Sequence, residues 1–314
     1  MIVCAAPNPS VDKLFVTQAV VHGAIHRPDR LVARAGGKGL NAARAVHALG
    51  AEVVAVVLLA GHAGRWIADE LVASGVRADA IWAEGETRSA LSVAAGGAMT
   101  EFYERGIAPG PVAWERFVVR AGAAARGAAW LSISGSLPPG VAAADAAALV
   151  RAGRAAGARV AVDQHGPALA AAVAAGPDLV KVNRHEASEL TGCTDPADAA
   201  VALRAALVAA GAADAVAVVT LGEEGALAVT PAGSLRGDLD VRASYPTGSG
   251  DAFLAGLLTV APTTGVSAAE AWADAMALAL GAACANAETE GAGTFDAPRA
   301  RALADRARGR LDVA

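Results

Sequence analysis

The chain has 314 residues, of which 54% are hydrophobic and 18% are charged, and its formal net charge is −5. So many apolar residues exclude a disordered chain, because they are enough to form a large core. A net negative charge gives no general attraction to nucleic acid or to an anionic membrane, so any anion-binding site must be built locally.

The N-terminal residues predict a buried first strand and a cytoplasmic protein. Met1 to Pro7 have no basic region before an apolar core, unlike a signal peptide. No uncharged run in the sequence approaches the length of a membrane span. The three cysteines, Cys4, Cys193 and Cys284, are far apart. They fit neither a disulfide framework nor a structural zinc site, and we expect reduced thiols.

Short apolar runs alternate with longer alanine-rich stretches along the chain. The short runs predict strands that are buried on both faces, and the longer ones predict helices. The predicted strands include 53–59, 129–134, 159–163, 179–182 and 215–221, and the predicted helices include 66–74, 143–156, 197–210 and 268–287. This alternation predicts an α/β fold with a doubly wound, mostly parallel sheet, whose ligands bind at the carboxyl ends of the strands.

Two segments interrupt the alternation, at about 13–34 and 87–108. Both have the alternating, β-branched character of half-exposed strands, with no helix between them. We expect them to form a small β lid inserted into a single domain that spans residues 1–314. A closing lid would keep water out of a reaction beneath it.

The first glycine cluster precedes a predicted helix and contains Gly36, Gly37, Lys38 and Gly39, with Asn41 close behind. Glycines let the backbone approach a small polar ligand, and an asparagine can both donate and accept hydrogen bonds with a sugar hydroxyl. The spacing differs from that of a Walker loop, and no Ser or Thr follows the lysine. A tight strand-to-helix turn without a ligand is the alternative.

The second cluster is Gly248-Ser249-Gly250-Asp251, which precedes an apolar helical run at 252–258. Its unshielded backbone N–H groups, together with the helix N-terminus, predict an anion site, with phosphate as the expected anion. Asp251 is either a helix cap or a base that takes a proton from an attacking hydroxyl. The two clusters together indicate a phosphoryl acceptor and a phosphoryl donor that meet in one cleft.

In their order along the chain, these motifs resemble those of the PfkB (ribokinase-like) carbohydrate kinases, in the branch of 1-phosphofructokinases and tagatose-6-phosphate kinases. The resemblance covers nearly the whole chain. Its segments are Asn8–Asp12, Ala35–Arg44, Thr87-Arg88, Thr100–Phe102, Ser134–Gly140, Lys181–Glu186, Thr220–Gly222 and Gly248–Asp251. The resemblance implies a ribokinase-like fold, ATP and Mg²⁺ as cofactors, and phosphorylation of a ketohexose phosphate. Fructose 1-phosphate, giving fructose 1,6-bisphosphate, is the first candidate.

The resemblance also implies roles for residues around the donor. Asp251 would be the base, and the amides of Gly248, Ser249 and Gly250 would form the anion hole. Nucleotide contacts would come from Thr220, Gly222 and Asn286, and Mg²⁺ and its waters would be supported by Asn183, Glu186 and Asp163. From the residues alone, Glu186 is equally a solvated helix carboxylate, and Asn286 is a polar residue near a helix end.

For the acceptor, Asp12 is expected on the sugar hydroxyls, aided by Asn41 and the Gly37 amide; without the resemblance, Asp12 is equally a turn former. Several cations in the predicted loop and lid favour a substrate that already carries a phosphate, because a neutral sugar gives them no partner. These cations are Lys38, Arg88, Arg27 and Arg105, and Ser136 would add a hydroxyl donor.

Three alternatives stay open. The acceptor is tagatose 6-phosphate or fructose 6-phosphate, or it is an unphosphorylated sugar or nucleoside, or the chain is a catalytically silent sensor. Ser89-Ala90 follow Thr87-Arg88 where the fructose-phosphate branch usually has an asparagine, which weakens the sugar assignment most. The lid is also expected to be the contact of a homodimer. Neither nucleic acid nor membrane is expected as a partner.

Overall fold

The computed structural model describes residues 1–241, 244–260 and 267–313; residues 242–243, 261–266 and 314 lie outside this description. The helices in the described part are α1 (Lys38–Ala48), α2 (Gly61–Ala73), α3 (Gly110–Ala125), α4 (Ala144–Ala155), α5 (Gly166–Ala174), α6 (Arg184–Thr191), α7 (Pro196–Ala209), α8 (Ser249–Val260), α9 (Ala268–Ala287) and α10 (Ala297–Arg308). The strands are β1 (Ile2–Ala6), β2 (Ser10–Thr17), β3 (Arg30–Gly36), β4 (Val53–Ala60), β5 (Arg77–Ala83), β6 (Ser89–Ala95), β7 (Ala98–Tyr103), β8 (Trp130–Ser134), β9 (Arg159–Asp163), β10 (Leu179–Asn183), β11 (Val216–Thr220), β12 (Ala226–Thr230), β13 (Gly233–Gly237) and β14 (Asp312–Val313).

The main sheet confirms the predicted doubly wound α/β fold. Its strand order is β14-β13-β12-β11-β10-β9-β8-β1-β4-β5, and the strands from β11 to β5 run parallel. The strands β12, β13 and β14 add an antiparallel edge. All eight residues of β4 are buried, which explains its uninterrupted apolar sequence.

Helices cover both faces of this sheet. Helices α1, α2, α8, α9 and α10 share one apolar core with it, and α3 to α7 share the other. Helix α9 is long and apolar enough to cross a membrane, but 61% of that stretch is buried within the fold. Gly256 of α8 and Gly281 of α9 have no room for a Cβ, because Ala279 and the backbone of α10 lie against them. Helix α9 therefore packs tightly between α8 and α10 as a core helix.

Helix α2 differs from the prediction. It begins at Gly61, five residues before the predicted start at residue 66. The Glu86 carboxylate, which lies far along the chain, accepts hydrogen bonds from the backbone N–H groups of His62 (3.1 Å) and Ala63 (2.5 Å). A cap supplied by a distant residue extends the helix, and local sequence carries no sign of it.

Both segments predicted for the lid form strands, and these strands make a second sheet with the order β3-β2-β6-β7. The sheet is joined to the main body at Thr87, whose hydroxyl bonds the N–H (2.8 Å) and the carbonyl (3.0 Å) of Ala60 at the end of β4. We call this second sheet the lid. Residues of the lid and of the carboxyl ends of the parallel strands line one cavity, near the point where the main sheet reverses its order around β1. Open α/β sheets generally bind ligands at such a point.

Candidate active site

A cavity of about 350 Å³ lies between the lid and the carboxyl ends of the main sheet. This volume suits a small-molecule ligand. Many of the residues predicted from the sequence line it together: Asp12, Gly37, Lys38, Asn41, Arg88, Asn183, Glu186, Thr220, Gly248, Gly250 and Asp251. The fold thus brings the early and the late glycine clusters to one place.

Asp251 lies in the first turn of α8 and is 6% exposed. Its Oδ2 accepts a hydrogen bond from the side-chain amide of Asn41 in α1 (2.9 Å), whereas its own backbone N–H bonds to the Gly248 carbonyl. The side chain therefore contacts another helix and does not cap its own. Burial, and then the negative charge of Asp163, raise the pKa of Asp251 to about 7, although Lys38 and Lys181 act in the opposite direction. This carboxyl group can therefore exchange a proton near neutral pH.

Asp163, at the end of β9, is fully buried between two lysines. Its Oδ1 accepts a hydrogen bond from Lys38 Nζ (2.8 Å), and its Oδ2 accepts one from Lys181 Nζ. Burial alone would raise the pKa of Asp163, but Lys181 and Lys38 outweigh it and lower the pKa to about 2. Asp163 therefore stays ionised.

Lys181 was not among the residues predicted for the site. It is 4% exposed and also donates to the Gly250 carbonyl (3.2 Å), so it lies directly behind the anion loop, residues 248–250. A lysine inside an otherwise apolar, buried strand was the available signal, because such a charge needs a buried partner.

The anion loop is held by its neighbours. Gly248 has a φ of +84°, and a Cβ there would overlap Ala292. Asn286 is fully buried; its amide donates to the Thr247 carbonyl (3.0 Å) and to Ser249 Oγ (3.2 Å), and its Oδ1 accepts from the Gly293 N–H (2.8 Å). Through these three bonds Asn286 positions the loop, and its predicted contact with the nucleotide stays a prediction.

Asn183 and Glu186 form a capping box at the start of α6. Asn183 Oδ1 accepts from the N–H groups of His185 and Glu186 (both 2.9 Å), and Glu186 Oε2 accepts from the Asn183 N–H (2.9 Å). Glu186 Oε1 faces the cavity, 3.9 Å from Lys38 Nζ. Oε2 therefore caps the helix while Oε1 stays available to a ligand in the cavity, and the part of Glu186 in the metal site stays a prediction.

These contacts decide how the site would hold Mg²⁺. In kinase sites this ion is usually bound by phosphates, waters and one or two carboxylates. Glu186 Oε1 fits that pattern. Each oxygen of Asp163 accepts a hydrogen bond from a lysine, and its predicted part in supporting the metal and its waters stays a prediction. Among the described residues there is no cluster of three or more His, Cys, Asp or Glu side chains that would bind a metal by itself.

Thr220 and Gly222 follow the end of β11. Thr220 lines the cavity and donates its hydroxyl to the Val182 carbonyl (3.3 Å). Gly222 has a φ of +68° and begins a short 3₁₀ turn, Gly222–Glu224, outside the cavity wall. Of these two residues, Thr220 therefore faces the cavity.

At the other end of the cavity, Asp12 of β2 meets the first glycine cluster. Its Oδ2 accepts from the Gly37 N–H (3.2 Å), and its Oδ1 accepts from the Ser10 hydroxyl (2.5 Å). Burial raises the pKa of Asp12, and these hydrogen bonds and the charge of Arg88 oppose the rise. A Cβ at Gly36 would overlap this carboxylate, so the glycine is required for the contact.

Arg88 is half-buried at the base of the lid. Its Nε and Nη2 donate to the Asn8 carbonyl (3.2 and 3.1 Å), and its Nη1 donates to the Glu104 carbonyl (3.2 Å). Asn8 in turn donates to Ser136 Oγ (3.0 Å), which places Ser136 beside the cavity and not on its wall.

Two of the predicted cations do not line this cavity. Arg27, in the connection between β2 and β3, and Arg105, after β7, are exposed and lie outside the cavity wall. The lid strands β2 and β3 contribute Lys13 and Arg34 to the cavity wall, and Arg88 joins them from the position just before β6. Sequence placed these arginines in the lid but could not say which side of the sheet they reach.

The model of the pfkB family of carbohydrate kinases matches residues 7–299. A 1-phosphofructokinase of Haloferax volcanii is 35% identical over 86% of this chain and 87% of the relative. A 1-phosphofructokinase of Rhodobacter capsulatus is 33% identical over 88% of each.

Solved structures show the same fold. Phosphofructokinase-2 from Escherichia coli, in complex with fructose-6-phosphate, is 26% identical, with a TM-score of 0.85 over 98% of both chains. A tetrameric inhibited form of that enzyme has a TM-score of 0.86, over 98% of this chain and 99% of the other.

Proposed function

Because the chain belongs to the pfkB family of carbohydrate kinases and is therefore a sugar kinase, we propose that it transfers the γ-phosphoryl group of ATP to a ketohexose phosphate. Fructose 1-phosphate, which would become fructose 1,6-bisphosphate, is the first candidate, and the two 1-phosphofructokinases reported above support it. One observation carries the proposal. A buried carboxyl group with a pKa of about 7, Asp251, lies between a glycine anion loop and a lid that presents Arg88 to the same cavity.

In the proposed reaction, Asp251 takes the proton of the acceptor hydroxyl as its oxygen forms a bond to the γ-phosphorus. The bond from that phosphorus to the bridging oxygen breaks, and ADP leaves. The amides of Gly248, Ser249 and Gly250 would hold the phosphate oxygens of the donor, for which the Ser249 N–H would have to leave the Pro246 carbonyl that it bonds in this structure (3.1 Å). Thr220 would contact the nucleotide, with the turn at Gly222 beside it. Mg²⁺, when bound, would neutralise phosphate charge, and Glu186, with Asn183 fixing its position, would hold the ion through water.

The acceptor would lie at the lid end of the cavity. Asp12 accepts hydrogen bonds from sugar hydroxyls, and Asn41 and the Gly37 amide border the same space. Arg88 would bind the phosphate that the acceptor already carries. Its two remaining N–H groups can form charge-assisted hydrogen bonds, which are stronger than neutral ones.

An assay of ADP release tests this function and its alternatives. The wild-type protein, with Mg²⁺ and ATP, is tested on fructose 1-phosphate, fructose 6-phosphate, tagatose 6-phosphate, free fructose, ribose and a nucleoside. We expect the highest kcat/KM for a ketohexose phosphate. A preference for a free sugar or nucleoside would overturn the proposal, and binding of sugar phosphate and ATP without ADP release would indicate a sensor.

We also propose that two copies of the chain associate through the lid. The lid's edge strands β3 and β7 carry exposed apolar side chains: Leu31 (54% exposed), Phe102 (62%) and Tyr103 (56%). Unpaired edges with apolar residues favour association with another chain, and the related E. coli enzyme has a tetrameric form. Light scattering should give a dimer or larger for the wild type and a monomer for Phe102→Glu. A monomeric wild type at micromolar concentration would refute this.

A further inference from the structure

The amino group of Lys38 lies at the end of the cavity where transfer would take place. Its Nζ is 2.8 Å from Asp163 Oδ1 and 3.9 Å from Glu186 Oε1. Asp163 holds the pKa of Lys38 well above its usual value, and the charges of Asp251 and Glu186 add to this effect. Lys38 is therefore a permanent cation among the carboxylates of the donor end.

Arg88 lies at the other end. Its guanidinium is bound to the carbonyls of Asn8 and Glu104, and it is the strongest charge that acts on the pKa of Asp12. The strongest cations that act on the pKa of Asp251 are instead Lys38 and Lys181. The sequence analysis assigned Lys38 and Arg88 together to the phosphate of the acceptor. In the structure they lie beside different carboxylates, Lys38 near Asp251 and Arg88 near Asp12.

Lys38 also differs from Lys181 in the number of N–H donors that remain available to a ligand. An ammonium group has three N–H donors. Lys181, whose side chain is 5% exposed, directs two of them to Asp163 and to the Gly250 carbonyl. Lys38, whose side chain is 36% exposed, makes one hydrogen bond, to Asp163, among the described residues. Two of its donors remain available to a ligand in the cavity.

We infer that Lys38 donates to the phosphoryl group in transfer, while Arg88 binds the phosphate already present on the acceptor. Asp163 and Lys181 are positioning residues. Lys181 neutralises the second oxygen of Asp163 and so leaves the first to orient Lys38. This inference rests on the proposed function, because it assigns the two phosphate groups of that reaction to different cations.

The two assignments have different kinetic consequences. A cation that contacts the transferring group stabilises charge that is spread over its oxygens in the transition state, so its loss lowers kcat. A cation that contacts only the acceptor's phosphate binds substrate and transition state alike, so its loss raises the KM for the sugar phosphate.

The test compares Lys38→Gln and Arg88→Gln on the best sugar phosphate of the wild type. We expect Lys38→Gln to lower kcat by about a hundredfold, with the KM for the sugar phosphate within about threefold of wild type. Arg88→Gln should raise that KM by tens of fold, in line with the loss of one partner of a charge-assisted contact. Lys38→Arg, which keeps the charge, should recover part of kcat. A tens-fold rise in the KM for the sugar phosphate in Lys38→Gln, with kcat near wild type, would overturn the inference.

Calorimetry adds a readout that does not need turnover. Lys38→Gln should weaken binding of a non-hydrolysable ATP analogue severalfold and leave ADP binding unchanged, since only the former has the γ-phosphate. The inference would be overturned if the variant bound each of the two nucleotides as tightly as wild type does.

A separate outcome concerns the proposed function. If the wild type acts only on free sugars, the proposed function fails, but Lys38→Gln must still lower kcat on that substrate. The two failures are therefore distinguishable. Melting temperature checks that the variant folds, which we expect because Lys181 still pairs with Asp163.

Discussion

At the scale of single residues, the environment of Asp251 is what converts a common side chain into a candidate base. Asn41 holds one of its oxygens, and burial keeps its proton affinity high. Asp251→Asn preserves this shape but cannot accept a proton. We expect kcat to fall by a factor on the order of a hundred or more, because general-base catalysis is lost. ATP binding, measured by calorimetry, should remain near wild type. Turnover near wild type would remove Asp251 as the base.

The raised pKa of Asp251 also predicts the pH dependence of the reaction. Below about pH 7 the carboxyl of the free enzyme is increasingly protonated and cannot act as a base. The value of kcat/KM should therefore fall about tenfold per pH unit between about pH 6 and pH 5. Initial rates across a range of buffers at constant ionic strength measure this. A flat profile down to pH 5 would show that another group limits the reaction.

The same pKa makes a prediction for stability. The pKa of Asp251 is higher in the folded chain than the ordinary value of about 3.9 expected when it is unfolded. The folded state therefore binds more protons between these values, and the free energy of unfolding falls as pH rises through that window. Asparagine does not titrate, so Asp251→Asn should not show this fall in the free energy of unfolding. Its melting temperature should exceed that of wild type by more at pH 8 than at pH 5. An equal difference at both pH values would contradict the raised pKa.

At the scale of elements, the anion loop depends on how closely α8 approaches the segment after α9. Gly248 has a φ of +84° and no room for a Cβ, whereas Gly157, between α4 and β9, has a φ of +81° and no atom within 4 Å of a Cβ. Both Gly→Ala variants carry the left-handed backbone cost of about 1–2 kcal/mol. Gly248→Ala adds the overlap with Ala292.

We therefore expect Gly157→Ala to lower stability modestly with kcat unchanged, and Gly248→Ala to lower stability further and to lose most of its activity. Chemical denaturation and the ADP-release assay measure the two effects. Equal losses in both variants would mean that backbone strain alone accounts for Gly248.

The elements that sequence predicted well are those whose signal is local. Strand β4 is buried along its whole length, so its apolar run specified both its type and its ends within a residue. Helix α9 matches its predicted bounds, Ala268–Ala287. The start of α2 was wrong by five residues, because the cap that extends it belongs to Glu86 in another segment.

The residues of the site likewise fall into those with a local signal in the sequence and those that depend on contacts between distant segments. The glycine clusters could be recognised because a tight approach to a ligand needs glycine wherever the chain folds. The contact of Lys38 with Asp163 joins residues 125 positions apart, so no local pattern contains it. For the same reason sequence could place Lys38 in the cleft, whereas its proposed role at the transferring phosphoryl group depends on contacts that only the fold creates.

At the scale of the whole molecule, the lid contacts the body on both sides of the cavity. On one side, the Thr87 hydroxyl forms hydrogen bonds with the backbone of Ala60. On the far side, Arg30 of β3 pairs with Glu290, which also accepts a hydrogen bond from the Tyr245 hydroxyl (2.7 Å). The lid therefore spans the cleft, and its far edge meets the segments that flank the anion loop.

This arrangement predicts that the far contact limits the entry of water. Arg30→Met removes a partly exposed ion pair, which is worth at most about 1 kcal/mol, so the open state should gain population by no more than about fivefold. ATP hydrolysis without sugar phosphate should then rise about two- to fivefold relative to transfer, because water reaches the donor more often. Arg120→Met, which breaks an exposed pair with Asp79 away from the cavity, is the matched control and should leave the ratio unchanged. ADP release measured with and without the acceptor gives the ratio. If Arg30→Met and Arg120→Met give the same ratio as wild type, the pair between Arg30 and Glu290 does not hold the lid over the donor.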